Sequence, residues 1–172
     1  FSSPQRVYIG YFGGHHGLFV WSFLLMGTLT MLLGPAWGNI SDELSTDTSL
    51  GKVVGRPDGR NVIAYLGIPY AEPPLGKLRF RPSVPKRPWA PNVHYAMNYS
   101  NECLQSALYS SDIENRPRSE DCLYLNIWRP AKIRPGSPAP VLFWIYGGAF
   151  IQGASSKPEY VGNRLASRGV VV

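Results

Sequence analysis

The sequence predicts an α/β fold in which antiparallel strands lead into a mixed, mainly parallel sheet. Three observations predict it. Two short β-like runs, residues 51–55 and 61–67, flank Pro57-Asp58-Gly59, where proline presets φ and glycine accepts a positive φ. Residues 141–146 are apolar at every position, the pattern of a strand covered on both faces. Beyond them the order is loop, helix, strand, the rhythm of a parallel sheet.

The elements follow in chain order. Residues 18–33 are an uncharged, apolar segment of 16 residues. A membrane span needs about 20 and a signal-peptide core about 7–15. Ala36-Trp37-Gly38 puts small residues at the two positions a signal peptidase reads. Residues 1–38 are therefore expected to be a leader with a cleaved signal peptide, the alternative being an uncleaved anchor through 18–33. Residues 39–50, rich in Ser, Thr and Asp, read as a flexible linker, and 51–172 as the first part of a larger domain. The runs 51–55 and 61–67 are expected to pair as an antiparallel hairpin.

Pro69, Pro73 and Pro74 lack N–H donors, so 68–76 is expected to be an ordered loop. Prolines recur over 79–91, with Phe80 and Trp89 as anchors. Residues 96–119 are polar and show no strong period. Residues 123–128 read as a strand, Pro135-Gly136-Ser137-Pro138 as a turn, and 158–167 as the start of a helix with Val161 and Leu165 at i, i+4. Residues 170–172 open a further strand. An apolar run at the last residues and a start at Phe1 predict a chain incomplete at both ends. No internal repeat is visible.

Seventeen Lys and Arg against eleven Asp and Glu give a net charge of +6. The basic residues are scattered, with no zinc-ligand spacing and no nucleic-acid module, so they read as a solvated surface and no nucleic-acid partner is expected. Cys103 and Cys122 have 18 residues between them. Behind a signal-like leader such a pair can close a loop, stabilising by about 3 kcal/mol in the chain-entropy model; two buried free thiols are the alternative. Asn39-Ile40-Ser41 and Asn98-Tyr99-Ser100 are glycosylation sequons.

The chemistry centres on Gly147-Gly148-Ala149-Phe150 after the apolar run. Acyl transfer must stabilise an oxyanion, and backbone N–H groups do so because they are already oriented. Glycine permits the sharp turn and close substrate approach. A plain Gly-rich turn has the same sequence. Gly148 and Gly153 have P-loop spacing, but Ala154 stands where the lysine must be. No dinucleotide GxGxxG fits, and neither cofactor nor metal is expected.

Wider motifs decide between these readings. Glu120-Asp121-Cys122-Leu123-Tyr124-Leu125-Asn126-Ile127-Trp128-Arg129-Pro130 resembles the second signature of the type-B carboxylesterase/cholinesterase family. Residues 140–150 resemble that family's strand and oxyanion-hole loop, and 67–80 its early Gly-Ile-Pro loop. The resemblance covers about 53–172. It implies the N-terminal portion of an α/β-hydrolase fold and, in the parent protein, a secreted serine esterase acting on a small-molecule ester. It implies oxyanion N–H groups at Gly148 and Ala149 with Gly147 forming the tight turn, a disulfide between Cys103 and Cys122, and an ion pair between Arg79 and Glu120.

The chain departs from the pattern in places. Cholinesterases hold the choline cation on a Trp inside the first disulfide loop; between Cys103 and Cys122 the aromatic residue is Tyr109, which argues against a choline-ester specialist. No Gly-x-Ser-x-Gly occurs, and His15, His16 and His94 do not lie where the triad base belongs. The nucleophilic Ser, the His and the acid are expected beyond Val172, and these 172 residues alone are expected to be inactive. The alternative is a neuroligin-like cell-surface adhesion protein; the intact Gly-Gly-Ala-Phe favours the enzyme. Membrane attachment is expected only through an uncleaved leader.

Overall fold

A computed structural model describes residues 43–106, 117–133, 136 and 138–172. The leader with its 18–33 segment, Asn39, His15, His16, Tyr109, and Pro135 and Ser137 of the 135–138 turn lie outside the described residues.

Two strands, β1 (Ser45–Thr48) and β2 (Gly51–Val54), form an antiparallel hairpin. The Thr48 hydroxyl closes it, donating to Gly51 O at 2.7 Å and accepting from Leu50 N at 3.1 Å. The segment read as a linker thus carries a strand. Its Ser, Thr and Asp residues suit an exposed edge strand, which needs no apolar face. On its other edge β2 pairs in parallel with the later strand β5 (Val93–Tyr95).

Pro57-Asp58-Gly59 does turn the chain, but the expected hairpin of 51–55 with 61–67 is not formed. The two-residue strand β3 (Arg56–Pro57) takes that place, antiparallel to β4 (Val62–Pro69). β2 is already occupied on both edges. β4 runs to Pro69, two residues into the segment read as loop, because a proline at a strand end forfeits little pairing. Beyond it Glu72 anchors the proline-rich stretch, accepting from the Arg87 N–H at 2.8 Å and from Lys86 Nζ at 3.2 Å.

The core is built on β4. Its side chains alternate, Val62, Ala64 and Leu66 on one face and Ile63 and Tyr65 on the other. The first set packs with Trp128, Ala166, Tyr99 and Val161. The second packs with Val53, Ala96, Trp89 and Ile127. The strand covered on both faces is therefore β4. Two short strands, β6 (Glu102–Cys103) and β7 (Arg118–Ser119), pair in parallel. β8 (Tyr124–Pro130) is the predicted strand of the signature, antiparallel to β4 with a register shift between Tyr65 and Ile68. Trp128, 4% exposed, donates from Nε1 to Asp58 Oδ2 at 2.9 Å, tying β8 to the β3–β4 turn.

The remaining expectations need correction. Residues 141–146 are not a buried strand: Val141 bridges Val171 in parallel, and Val141, Phe143 and Ile145 are 73–78% exposed. An all-apolar strand is covered only when neighbours lie on both faces; among the described residues the Trp144 and Tyr146 rings meet Tyr160, at 5.9 and 6.4 Å between centroids. The helix predicted over 158–167 is a 3₁₀ turn (Pro158–Tyr160) followed by the single helical turn α1 (Asn163–Ala166). Gly162 separates them in close contact with the sheet, where a Cβ would lie 2.8 Å from Val172 Cβ and 2.9 Å from Trp128 Cε3. Val161 and Ala166 pack inward while Leu165 faces solvent. Residues 170–172 are extended as expected. Val172 exchanges both backbone hydrogen bonds with Trp128 at 2.9 Å, the antiparallel narrow pair, and Val171 bonds to Pro140 and Leu142 on the other side.

Candidate active site

The loop that follows 141–146 is folded tightly on itself. Gly148 O accepts from Ile151 N at 3.0 Å and from Gln152 N at 3.2 Å. A Cβ on Gly148 would run into the Gln152 carbonyl oxygen, so only glycine closes this turn. Ala149 and Phe150 then sit at φ +52° and +62°, in the left-handed region that costs an ordinary residue about 1–3 kcal/mol and clusters at functional sites. Neither Gly148 N–H nor Ala149 N–H has an acceptor among the described residues. Phe150 projects fully into solvent. Gly153 ends the loop; a Cβ there would lie 2.8 Å from the Tyr146 ring and 2.9 Å from Gly147 O.

Polar side chains hold this loop from beneath. Gly153 N donates to Gln105 Oε1 at 2.9 Å, and Gln105 Nε2 donates back to Gly153 O at 3.1 Å. Asn126 of β8 accepts from Gly67 N at 3.0 Å and donates to Ser155 Oγ at 3.1 Å. Glu102, 7% exposed, accepts from Ser156 Oγ at 3.4 Å and lies 3.9 Å from Arg118 Nε. Burial chiefly pushes the Tyr146 phenol up, with Tyr70 and Glu102 adding to the effect. Burial likewise raises the Tyr124 phenol, followed by its hydrogen bond to Asp121. A cavity of about 650 Å³ runs between β8 and 141–146, lined largely by apolar groups of Leu125, Ile127, Phe143 and Ile145, with Tyr124 and Tyr146 at its side.

The structure joins Cys103 to Cys122 in a disulfide. Arg79 donates to Glu120 Oε1 from both Nε and Nη2 at 2.7 Å, half-exposed and away from the glycine loop. This pair fastens the proline-rich stretch to the segment entering β8. Asn98 is exposed. His94 Nε2 lies 3.0 Å from Gly67 O, with its ring tilted against Trp89 at 5.3 Å; it braces the β5 region and faces no nucleophile. What is assembled is a tight glycine loop, with the Gly148 and Ala149 N–H groups free of acceptors, and its polar supports, without a nucleophile–base pair among the described residues. The sequence reading assigns no role to Gln105, and none to Asn126 beyond its place in the 120–130 signature. A Gln in a polar stretch looks like any surface residue, but an Asn inside an otherwise apolar strand was a usable signal.

Comparison with known proteins places the chain in a family. Residues 42–172 match the model of the carboxylesterase family. The chain is 46% identical over 156 residues to acetylcholinesterase of Danio rerio, covering 84% of this chain and 24% of that protein. It is 49% identical over 142 residues to acetylcholinesterase of Electrophorus electricus, covering 76% and 22%. Against fumonisin B1 esterase of Sphingopyxis macrogoltabida the identity is 39% over 153 residues, covering 88% and 27%. Among solved structures, a PNB esterase superposes with a TM-score of 0.68 at 41% identity, covering 76% of this chain and 27% of its own. A thermophilic PNB esterase gives 0.66 at 41%, covering 75% and 27%. The chain thus spans about a quarter of the length of these relatives.

Proposed function

The chain belongs to the carboxylesterase family and has part of the α/β-hydrolase fold, and from that premise we propose that it is the N-terminal part of a secreted serine carboxylic-ester hydrolase. It carries the oxyanion loop and not the nucleophile. The observation that carries this reading is the Gly148 turn, which leaves the N–H groups of Gly148 and Ala149 without acceptors among the described residues.

The mechanism follows from what such a loop can do. A serine beyond Val172 attacks the ester carbonyl as a histidine takes its proton. The carbonyl oxygen becomes an oxyanion and accepts from Gly148 N–H and Ala149 N–H. Collapse expels the alcohol, protonated by the same histidine, and leaves an acyl-enzyme that water hydrolyses by the same route. The N–H groups contribute because their hydrogen bonds strengthen as charge develops. The relatives' names point to chemically different esters. The absence of Trp between Cys103 and Cys122 favours an uncharged ester over a choline ester.

The organisation proposed is a leader over 1–38 and an esterase domain beginning after it. Secretion is supported by the leader's composition and by the Cys103–Cys122 bond; Asn98, and more weakly Asn39, would carry glycans. No helix among the described residues is long and apolar enough to cross a membrane. The first test is the coding sequence downstream of Val172. Gly-Glu-Ser-Ala-Gly there supports the enzyme, and Gly or Ala at the serine position supports an adhesion protein. The second is hydrolysis of p-nitrophenyl esters. The full protein should turn over, and a purified 39–172 polypeptide should not exceed a matched blank. A saturable rate from that polypeptide would overturn the assignment of the nucleophile.

A further inference from the structure

The glycine loop is held unevenly. At its start, residues 141–146 make a single bridge, Val141 to Val171. At its end the Gln105 side chain grips both polar groups of Gly153, Oε1 accepting from the N–H at 2.9 Å and Nε2 donating to the carbonyl at 3.1 Å. A primary amide paired in this way fixes the orientation of the backbone as well as its position. Nε2 also donates to Cys103 O at 3.3 Å, and Cys103 is bonded to Cys122. The side chain is therefore set by the backbone of a cross-linked residue. Gly153 also runs so close to the loop's own start that a Cβ on it would lie 2.8 Å from the Tyr146 ring and 2.9 Å from Gly147 O.

We infer that Gln105 is a positioning residue for the oxyanion loop, and that the Cys103–Cys122 disulfide acts on catalysis through it. The inference rests on the esterase reading above. Gln105 does not reach the reacting atoms. It fixes Gly153, the 148–152 turn transmits that constraint, and the aim of the Gly148 and Ala149 N–H groups follows. Misplacement of such donors by about 1 Å costs on the order of 10²-fold, and loss of one costs 10²–10³-fold.

The test uses the full-length protein with Gln105→Leu, which removes all three side-chain hydrogen bonds at similar size, and Gln105→Glu, which keeps an acceptor for Gly153 N–H and loses the donor. Active sites are counted by titration, so that kcat is expressed per competent site. Leu is expected to lower kcat about 10–100-fold with KM within about threefold, Glu to fall between Leu and wild type, and affinity for a trifluoromethyl ketone to drop in parallel with kcat. Cys103→Ser/Cys122→Ser should have a smaller effect on kcat in the Leu background than in wild type, since both act through one contact. Loss of titratable sites with kcat per site unchanged would make Gln105 a folding residue only and overturn the inference. Full additivity with the disulfide would overturn its second half. Amide exchange at Gly153 keeps the two readings separable: it should accelerate in Gln105→Leu whether or not the protein turns over. An inert wild-type protein removes the esterase reading and the catalytic role of Gln105 with it, while unchanged exchange removes the clamp itself.

Discussion

Gly148→Ala puts the proposed site under the most direct structural stress. The added Cβ meets the Gln152 carbonyl oxygen, and Gln152 C stands only 2.8 Å away. Both are backbone atoms and cannot rotate aside as a side chain would. The turn has to open, which breaks the hydrogen bonds from Ile151 N and Gln152 N to Gly148 O. At about 0.5–1.5 kcal/mol net each, their loss costs the native state about 1–3 kcal/mol. The larger effect falls on the transition state. If one N–H no longer points at the oxyanion, about 2.7–4 kcal/mol of stabilisation is lost, or roughly 10²–10³ in kcat. The assay is steady-state hydrolysis of a p-nitrophenyl ester by the full-length protein, with titrated sites and a thermal melt in parallel. The expected result is a kcat lowered at least about 10²-fold, KM within a few-fold, and a modest fall in Tm. Gly147→Ala is the internal comparison. A Cβ there meets nothing within 4 Å among the described residues, so its effect should be at least about tenfold smaller. A kcat within threefold of wild type for Gly148→Ala, or equal damage from both, would refute the reasoning.

Further predictions concern the scaffold. Reduction of Cys103–Cys122, 19 apart in sequence, should lower stability by about 3 kcal/mol; a urea midpoint that does not shift under reductant contradicts it. Trp128→Phe removes the hydrogen bond to the Asp58 carboxylate and should destabilise by roughly 2 kcal/mol, read from the denaturation midpoint. The Glu72 carboxyl lies below its usual 4.5, held there first by the Arg87 backbone N–H and then by the Lys86 side chain. A depressed carboxylate gives stability that is complete above the unfolded value and is lost as pH falls through the folded one. The gap between wild type and Glu72→Gln should therefore be widest near neutral pH and shrink as pH falls below the unfolded 4.5 and through the folded value; a gap that stays constant or widens as the protein is acidified argues against it.

The sequence made some of this legible and concealed the rest for identifiable reasons. β8 and the proline-rich stretch were readable because strand propensity and missing N–H donors are local properties. The Pro57-Asp58-Gly59 turn was legible too, but its partners were not. Which edge β2 takes depends on β1, whose Ser and Thr residues carry no apolar alternation to announce an edge strand. The pattern of residues 141–146 is that of a covered strand, yet coverage is supplied by neighbours that a local pattern does not specify. The 158–167 segment has a helical i, i+4 pair, and Gly162 overrides it through contact with Trp128 and Val172. In the candidate site, Gly148 and Ala149 were visible through their motif. Gln105 was hidden, because its role arises from a pairing 48 residues away.

The proposed function is ester hydrolysis by the full-length protein through a serine helped by this loop. Intact-protein mass spectrometry after reaction with a fluorophosphonate tests it most directly. The expected result is one adduct per molecule, on a serine outside residues 1–172, formed in step with complete loss of p-nitrophenyl ester hydrolysis. Gly148→Ala should slow its formation, since phosphonylation builds charge on the oxygen that the loop receives. A folded full-length protein that takes no label, or that keeps its hydrolysis after stoichiometric labelling, would contradict the claim.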